Sequence, residues 1–204
     1  KLFKQDTMLD GVALGDMLLK KNLNLIGEPT SAMFRKKDVP RFGEYQGRVY
    51  FVLNDLATWM SLLKKGQAVY LTETLSYFRQ HSGQNQKNPK YMHQGISEWF
   101  QLLQDSRRDG FLKSQKDYKE SLSNYLQMAL KIINIYNRIN DNRTLMENEI
   151  AKHIAKAVEI LAYSPTLYHC NYCGKDFEAF GSVRDQDGIS SRNAAVCPHC
   201  ESLD

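Results

Sequence analysis

The four cysteines of the chain fall in two matching knuckles, Cys170-x-x-Cys173 and Cys197-x-x-Cys200, separated by 23 residues, with Gly174 after the first and Pro198 inside the second. Four thiolates at this spacing suit a tetrahedral zinc ion with no coordination position left open, a structural metal rather than a catalytic one. Two disulfides or a pair of redox dithiols are the other uses of such a pattern. No secretory leader is read at the Lys-rich start, which disfavours the first, and no βαβ unit flanks either knuckle, which disfavours the second. His169 and His199 adjoin cysteines, but four thiols already fill such a site.

A second set of reactive side chains lies in residues 52–86. Leu56, Trp59, Met60 and Leu63 recur at the i, i+3, i+4, i+7 spacing of one apolar helical face. Asn54 and Asp55 open that helix, and a carboxylate there accepts hydrogen bonds from the unpartnered N–H groups of the first turn. Gly66 is expected to close it in a left-handed cap, with Lys64 and Lys65 complementing the negative end of the dipole. The runs AVYLT and LSYF, parted by Glu73-Thr74, read as two short strands or one bent one that deliver Arg79 and His81 to a polar loop reaching Asn85 and Gln86.

Residues 54–85, NDLATWMSLLKKGQAVYLTETLSYFRQHSGQN, together with GEPTSAMFRK at 27–36, resemble the C-terminal, acceptor-side half of the catalytic domain of family-two glycosyltransferases, which have the GT-A fold. The resemblance covers about residues 5–105 and keeps the order and spacing of several short motifs. It implies transfer of a sugar from a nucleotide-sugar donor to an acceptor hydroxyl, with Asp55 as the general base that takes the hydroxyl proton. Here the pair is Asn-Asp where many members have Glu-Asp or Asp-Asp, so Asp55 is the one titratable candidate. Glu28, held extended by the following Pro29, would orient a sugar hydroxyl. Arg79 and His81 would face the leaving nucleoside diphosphate and its divalent metal, manganese or magnesium.

In that family the nucleotide-binding half comes first and ends in an Asp-x-Asp motif. None lies upstream of Gly27, and Asp185-Gln186-Asp187 falls between the cysteine knuckles, far from the expected place. The chain is therefore expected to be a piece of a larger multidomain enzyme, inactive by itself, with neighbouring domains of the same chain as partners. YHCNYCGKDFEAF and CPHCESLD resemble the small zinc ribbons that precede methyltransferase domains in some sugar-modifying proteins, although no methyltransferase glycine-rich loop is present. The alternative is a non-catalytic module in which ribbon and helices dock neighbouring domains.

The elements that must position these residues follow from periodicity. Asp6 or Thr7 is expected to cap a helix from Leu9 to Lys21 along Leu9, Val12, Ala13, Leu18 and Leu19. Thr30 to Phe34 reads as a strand, residues 36–48 as a charged loop, and Arg48 to Leu53 as an extended run. A helix starts near Pro89, buries Tyr91, Ile96, Trp99, Phe100 and Leu103, and stops at SRRDG. Tyr118, Leu122, Tyr125, Leu126, Ala129, Ile132, Ile133 and Tyr136 mark a long helix that ends at the polar turn NRINDNR. A second begins at the capping box Thr144/Glu147 and runs through Ile150, Ile154, Ala157, Val158 and Leu161; His153 on it reads as structural. Such a hairpin must dock on the preceding part or on a partner to cover its apolar faces.

The expected architecture is α+β: a partial GT-A-like α/β region at 1–110, a helical hairpin at 111–165 and a zinc ribbon at 166–204. With 204 residues, 42% hydrophobic and 25% charged, the chain can bury a core. No apolar run approaches the roughly 20 residues of a membrane span, so a cytoplasmic location is the default. The net charge of +4 is modest and scattered, and the ribbon carries few basic side chains, which argues against nucleic acid as a partner. The bare edge of a truncated sheet makes a second copy of the chain a candidate partner.

Overall fold

A computed structural model describes residues 3–77, 79, 89–139, 148–162, 166–170, 172–179 and 200. It is α+β, with five helices and three two-stranded antiparallel sheets among the described residues. The chain divides into two compact units, Lys1–Ala157 and Val158–Asp204.

The first strand, β1 (Thr7–Asp10), pairs with β4 (Gln67–Tyr70) in the register Thr7↔Tyr70 to Asp10↔Gln67. Helix α1 (Gly11–Lys21) follows without a loop. The sequence places its start at Leu9 with Asp6 or Thr7 as cap. The ladder with β4 instead takes residues 7–10, and Asp10 becomes the cap, its Oδ1 accepting the Ala13 N–H at 2.8 Å. Asp6 is used elsewhere, accepting the N–H (2.8 Å) and hydroxyl (2.7 Å) of Thr72. Leu14, Leu18 and Leu19 form the buried face of α1.

Two further expectations are corrected between α1 and the second helix. Thr30 to Phe34 is not a strand, because Pro29–Ser31 turns as a single 3-10 coil. Ser31 closes it by donating its N–H (2.9 Å) and hydroxyl (2.6 Å) to the Glu28 carbonyl, a local bond that competes with a ladder. Glu28 itself is extended, φ −68° and ψ 157°, as a residue before proline must be. The extended run of 48–53 shortens to β3 (Arg48–Val49), which pairs with β2 (Glu44–Tyr45) across a Gln46-Gly47 turn.

Helix α2 (Asn54–Leu63) carries the apolar face the periodicity predicts: Leu56, Trp59, Met60 and Leu63 are all buried. Its end differs. Gly66 is not left-handed; the helix tightens, with Lys65 donating to the Leu62 carbonyl at 2.9 Å, because the chain must enter β4 at Gln67. Residues 75–77 form no second strand, and Leu75 and Tyr77 are exposed.

Helix α3 (Pro89–Arg108) begins on the predicted proline and ends at Gly110, whose φ of +91° lets the Phe111 N–H return to the Ser106 carbonyl. Ile96, Trp99, Phe100 and Leu103 are buried on it. Helix α4 (Gln115–Ile139) packs on both α1 and α3, burying Tyr118, Leu122, Tyr125 and Ala129, so the docking that its apolar stripe requires is made within this unit. Asn22 and Ser121 clasp α1 to α4: the Asn22 amide donates to the Ser121 carbonyl (3.1 Å), and the Ser121 hydroxyl to the Leu19 carbonyl (2.7 Å). The Thr144/Glu147 capping box lies outside the described residues.

Helix α5 (Asn148–Ala162) meets α3 through His153, whose ring stacks on Phe100 at 4.8 Å and whose Nδ1 lies 3.2 Å from the Ser97 hydroxyl. Burial is the largest influence on His153 and lowers its pKa, aided by Arg48 and opposed by Glu149. The imidazole is thus favoured neutral in the fold. The unfolded state binds the extra proton below the ordinary pKa of about 6.5, so stability is full above that value and declines as pH falls through it. We expect the thermal midpoint to drop from pH 7 to pH 5 and the drop to shrink in His153→Phe. An unchanged slope in that variant would contradict the assignment.

Candidate functional site

Asp55 sits in the first turn of α2, half-buried. One carboxylate oxygen accepts the Leu56 N–H at 2.7 Å and the other the Asn24 side-chain amide at 2.8 Å. Desolvation is the largest influence on this carboxyl and raises its pKa above the usual value, with the hydrogen bonds from Leu56 and Asn24 pulling it back. An ionised carboxylate has about four lone-pair sites, so these partners leave room for a further donor such as a hydroxyl.

The turn before Glu28 is built around the same residues. Asn24 accepts the N–H groups of Ile26 (3.2 Å) and Gly27 (3.0 Å) on its carbonyl oxygen and donates to the Gly27 carbonyl (3.1 Å) as well as to Asp55. Trp59, one helical turn beyond Asp55, donates its indole N–H to the same Gly27 carbonyl at 3.2 Å. Asp55 and Trp59 therefore hold the Asn24–Gly27 turn against one face of α2, which sets the backbone of Glu28 beside Asp55's helix. Phe34 and Phe42 stand edge-on to Trp59 at 5.6 and 6.2 Å.

The N-terminus of α2 is secured from α3. Glu98, 6% exposed, accepts three successive N–H groups on its carboxylate, from Phe51 (3.1 Å), Val52 (2.8 Å) and Leu53 (2.8 Å). Two turns further along α3, buried Asp105 accepts from the Tyr50 hydroxyl (2.7 Å), from Arg48 (3.0 Å) and from Arg108. Tyr45 donates to Asp109 at 2.9 Å. Burial, reinforced by Asp105 and Asp109, pushes both phenols up, so Tyr45 and Tyr50 act as donors throughout the physiological range. The segment 45–53 is thus fastened along α3 by carboxylates and delivers α2, and Asp55 with it, in a fixed place.

Of the predicted residues, the structure brings Asp55 and the Glu28 turn together. Arg79 is exposed, and His81 and Cys197 lie outside the described residues. Asn24, Trp59, Glu98 and Asp105 are the positioning residues that sequence reasoning missed. The Asn24-x-x-Gly27 spacing was a local signal for the turn, whereas nothing local marked Glu98 and Asp105, two acids seven residues apart on one helix, as acceptors for residues 48–53. A shallow groove of about 400 Å³ between α1 and α4 is lined by none of the predicted residues, and Lys20 there pairs with Asp117 (2.8 Å) and Glu120 (3.3 Å).

In the second unit, β5 (Thr166–His169) pairs with β6 (Asp176–Ala179), and the Cys170 knuckle forms the bend between them. Gly174, at φ +68°, lets the chain reverse, donating to the Cys170 carbonyl at 2.8 Å while Cys170 donates to the Lys175 carbonyl at 3.0 Å. The sulfurs of Cys170, Cys173 and Cys200 lie within 4.8 Å of one another. The Cys170 and Cys200 sulfurs are 3.6 Å apart, well beyond a disulfide bond of about 2.05 Å. That spacing is close to the separation of about 3.8 Å between thiolates each about 2.3 Å from one tetrahedral ion. These three cysteines can hold a metal ion.

No family model matches the sequence, and no curated protein or solved structure matches it either. Among the described residues no helix is long and apolar enough to cross a membrane.

Proposed function

We propose that this chain is the acceptor-side part of a GT-A-type, inverting glycosyltransferase and that Asp55 is its general base. The observation that carries the reading is Asp55 itself: a half-buried carboxyl at a helix start, made more basic by desolvation, oriented by Asn24 and Leu56, with lone pairs left for an acceptor hydroxyl. Proton removal by Asp55 would accompany attack of the acceptor oxygen on the anomeric carbon, and the nucleoside diphosphate would leave. Glu28, carried on the adjoining turn, would orient acceptor hydroxyls. Arg79 and His81 would serve the diphosphate and its manganese or magnesium ion, which a nucleotide-binding half of the parent chain would bring. One observation favours the alternative of a non-catalytic docking module: both carboxylate oxygens of Asp55 already have protein partners, as those of a purely structural carboxylate would.

The two readings separate in a transfer assay on the parent chain with a panel of nucleotide sugars and manganese. Transfer or donor hydrolysis supports the enzyme, and a well-folded parent that turns over no donor supports the module.

For the second unit we propose a structural zinc held by Cys170, Cys173 and Cys200, with Cys197 supplying the remaining thiolate expected from the sequence. The purified protein should contain about one zinc per chain. Cys170→Ser should lose it, and chelation should speed amide exchange in β5 and β6 while leaving α1 to α4 protected. Metal-free protein with oxidised cysteines would contradict this.

A further inference from the structure

The surface beside Asp55 combines aromatic and basic groups in a way that the transfer reading alone does not require. Trp59, buried at 2% exposure, forms the base of a small shelf on which Phe34 and Phe42 stand edge-on, each more than a third exposed. The segment that supplies both phenylalanines, residues 33–43, carries four cations against the single acid Asp38. Arg35, Lys36 and Lys37 are exposed, and among the described residues none of them forms an ion pair. Arg41 lies 3.8 Å from Glu44, and Lys65 reaches over from α2 to donate to the Asp38 carbonyl at 2.8 Å, which pins the segment and adds another cation to it.

Trp59 also donates to the Gly27 carbonyl, so the shelf and the Asp55 turn share one support.

We propose that this shelf binds an acidic saccharide, and that the acceptor hydroxyl presented to Asp55 belongs to a sugar chain bearing carboxylates. Aromatic faces carry negative charge density that attracts the C–H groups of a pyranose ring, and partly exposed phenylalanines are suited to that contact. The uncompensated cations alongside match carboxylates spaced along such a chain, and exposed cations steer an anionic ligand in a salt-dependent way. A duplex or single-stranded nucleic acid is less well matched, because the basic character is confined to this short segment and the chain as a whole carries only +4. The inference rests on the transfer reading for the ligand's role as acceptor; the binding itself stands or falls separately.

The test is a titration of this protein, without donor, with trigalacturonate and with uncharged maltotriose. Trigalacturonate should bind roughly tenfold or more tightly than maltotriose and weaken as salt rises from about 0.05 to about 0.5 M. Phe34→Ala and the double change Lys36→Gln/Lys37→Gln should each weaken it by about fivefold or more. The lysine change, on exposed positions, should leave the thermal midpoint in place, whereas Phe34→Ala also gives up its edge contact with Trp59 and should lower the midpoint modestly. Equal affinity for the two sugars, or no salt dependence, would overturn the charge argument. Binding unaffected by the variants, no binding by folded protein, or tighter variant-sensitive binding of an oligonucleotide would each overturn the shelf as a saccharide site. Binding as expected in a parent that turns over no nucleotide sugar would leave the saccharide surface standing and remove the acceptor role. Transfer by the parent to neutral acceptors alone would overturn the acidic chain as acceptor and leave the transfer reading standing.

Discussion

Asp55→Asn in the parent chain is expected to lower the rate of sugar transfer by about 100-fold to 10,000-fold while leaving nucleotide-sugar binding intact, which is the range that removal of a positioned general base produces. The substitution keeps size and shape. Its carbonyl oxygen can still accept the Asn24 amide, so the turn that carries Glu28 should hold. The stability of the fold should barely change at neutral pH. A carboxyl whose folded pKa is raised by burial disfavours folding once it is ionised, so losing that charge offsets the loss of the Leu56 N–H bond. Comparing kcat, donor affinity and thermal midpoint in the same variant separates a base from a structural carboxylate. A large fall in the midpoint with kcat unchanged would identify Asp55 as a structural carboxylate only.

The largest effect on stability is expected at Glu98. In Glu98→Ala the N–H groups of Phe51, Val52 and Leu53 lose their shared buried acceptor, although water reaches the exposed Phe51 and the half-buried Val52 and Leu53 in part. Unsatisfied buried donors cost about 1–3 kcal/mol each, and partial solvation of the three brings the total to about 3 kcal/mol. For a unit of this size that lowers the thermal midpoint by about 10 °C. Glu98→Gln should recover part of the loss, because one amide oxygen can still accept from Val52 and Leu53. The same change should loosen the start of α2 selectively, seen as faster amide exchange at Phe51 to Leu53 before any effect in α1 or α4. A midpoint within about 2 °C of the wild type would show that water replaces the carboxylate without penalty.

What could be read in the sequence was whatever had a regular period or a fixed spacing. The apolar faces of α2, α3 and α4, the proline start and Gly110 stop of α3, and the Cys170-x-x-Cys173 knuckle are all local in sequence, and local patterns carry their geometry with them. The readings that failed depended on partners far along the chain. Leu9 has the right spacing for α1, yet residues 7–10 pair with β4, more than fifty residues away, and Asp10 takes the cap. Thr30 to Phe34 has strand-like composition, but the Ser31 hydroxyl and Glu28 carbonyl meet first.

The candidate site divides in the same way. Asp55 was legible as a carboxylate at a helix start with two possible uses, but the expected cap is corrected: the cap falls at Leu53, and Asp55 lies in the first turn, where it accepts the Leu56 N–H. Its support was not legible. Glu98 and Asp105 look like solvent-facing charges on a stripe diagram, and only the path of residues 45–53 along α3 reveals what their carboxylates receive. Asn24 likewise reads as a turn residue until the fold sets its amide against Asp55.

The most direct measurement is the pH dependence of kcat for sugar transfer by the parent chain, wild type against Asp55→Asn. The wild-type rate should fall on the acid side as Asp55 takes up a proton, with a midpoint above the usual carboxylate pKa of about 4 because burial raises it. That limb should disappear, together with most of the rate, in Asp55→Asn. A wild-type profile with no acid limb, or an Asp55→Asn enzyme that keeps both the limb and the rate, would contradict Asp55 as the base and with it the glycosyl-transfer account of this site.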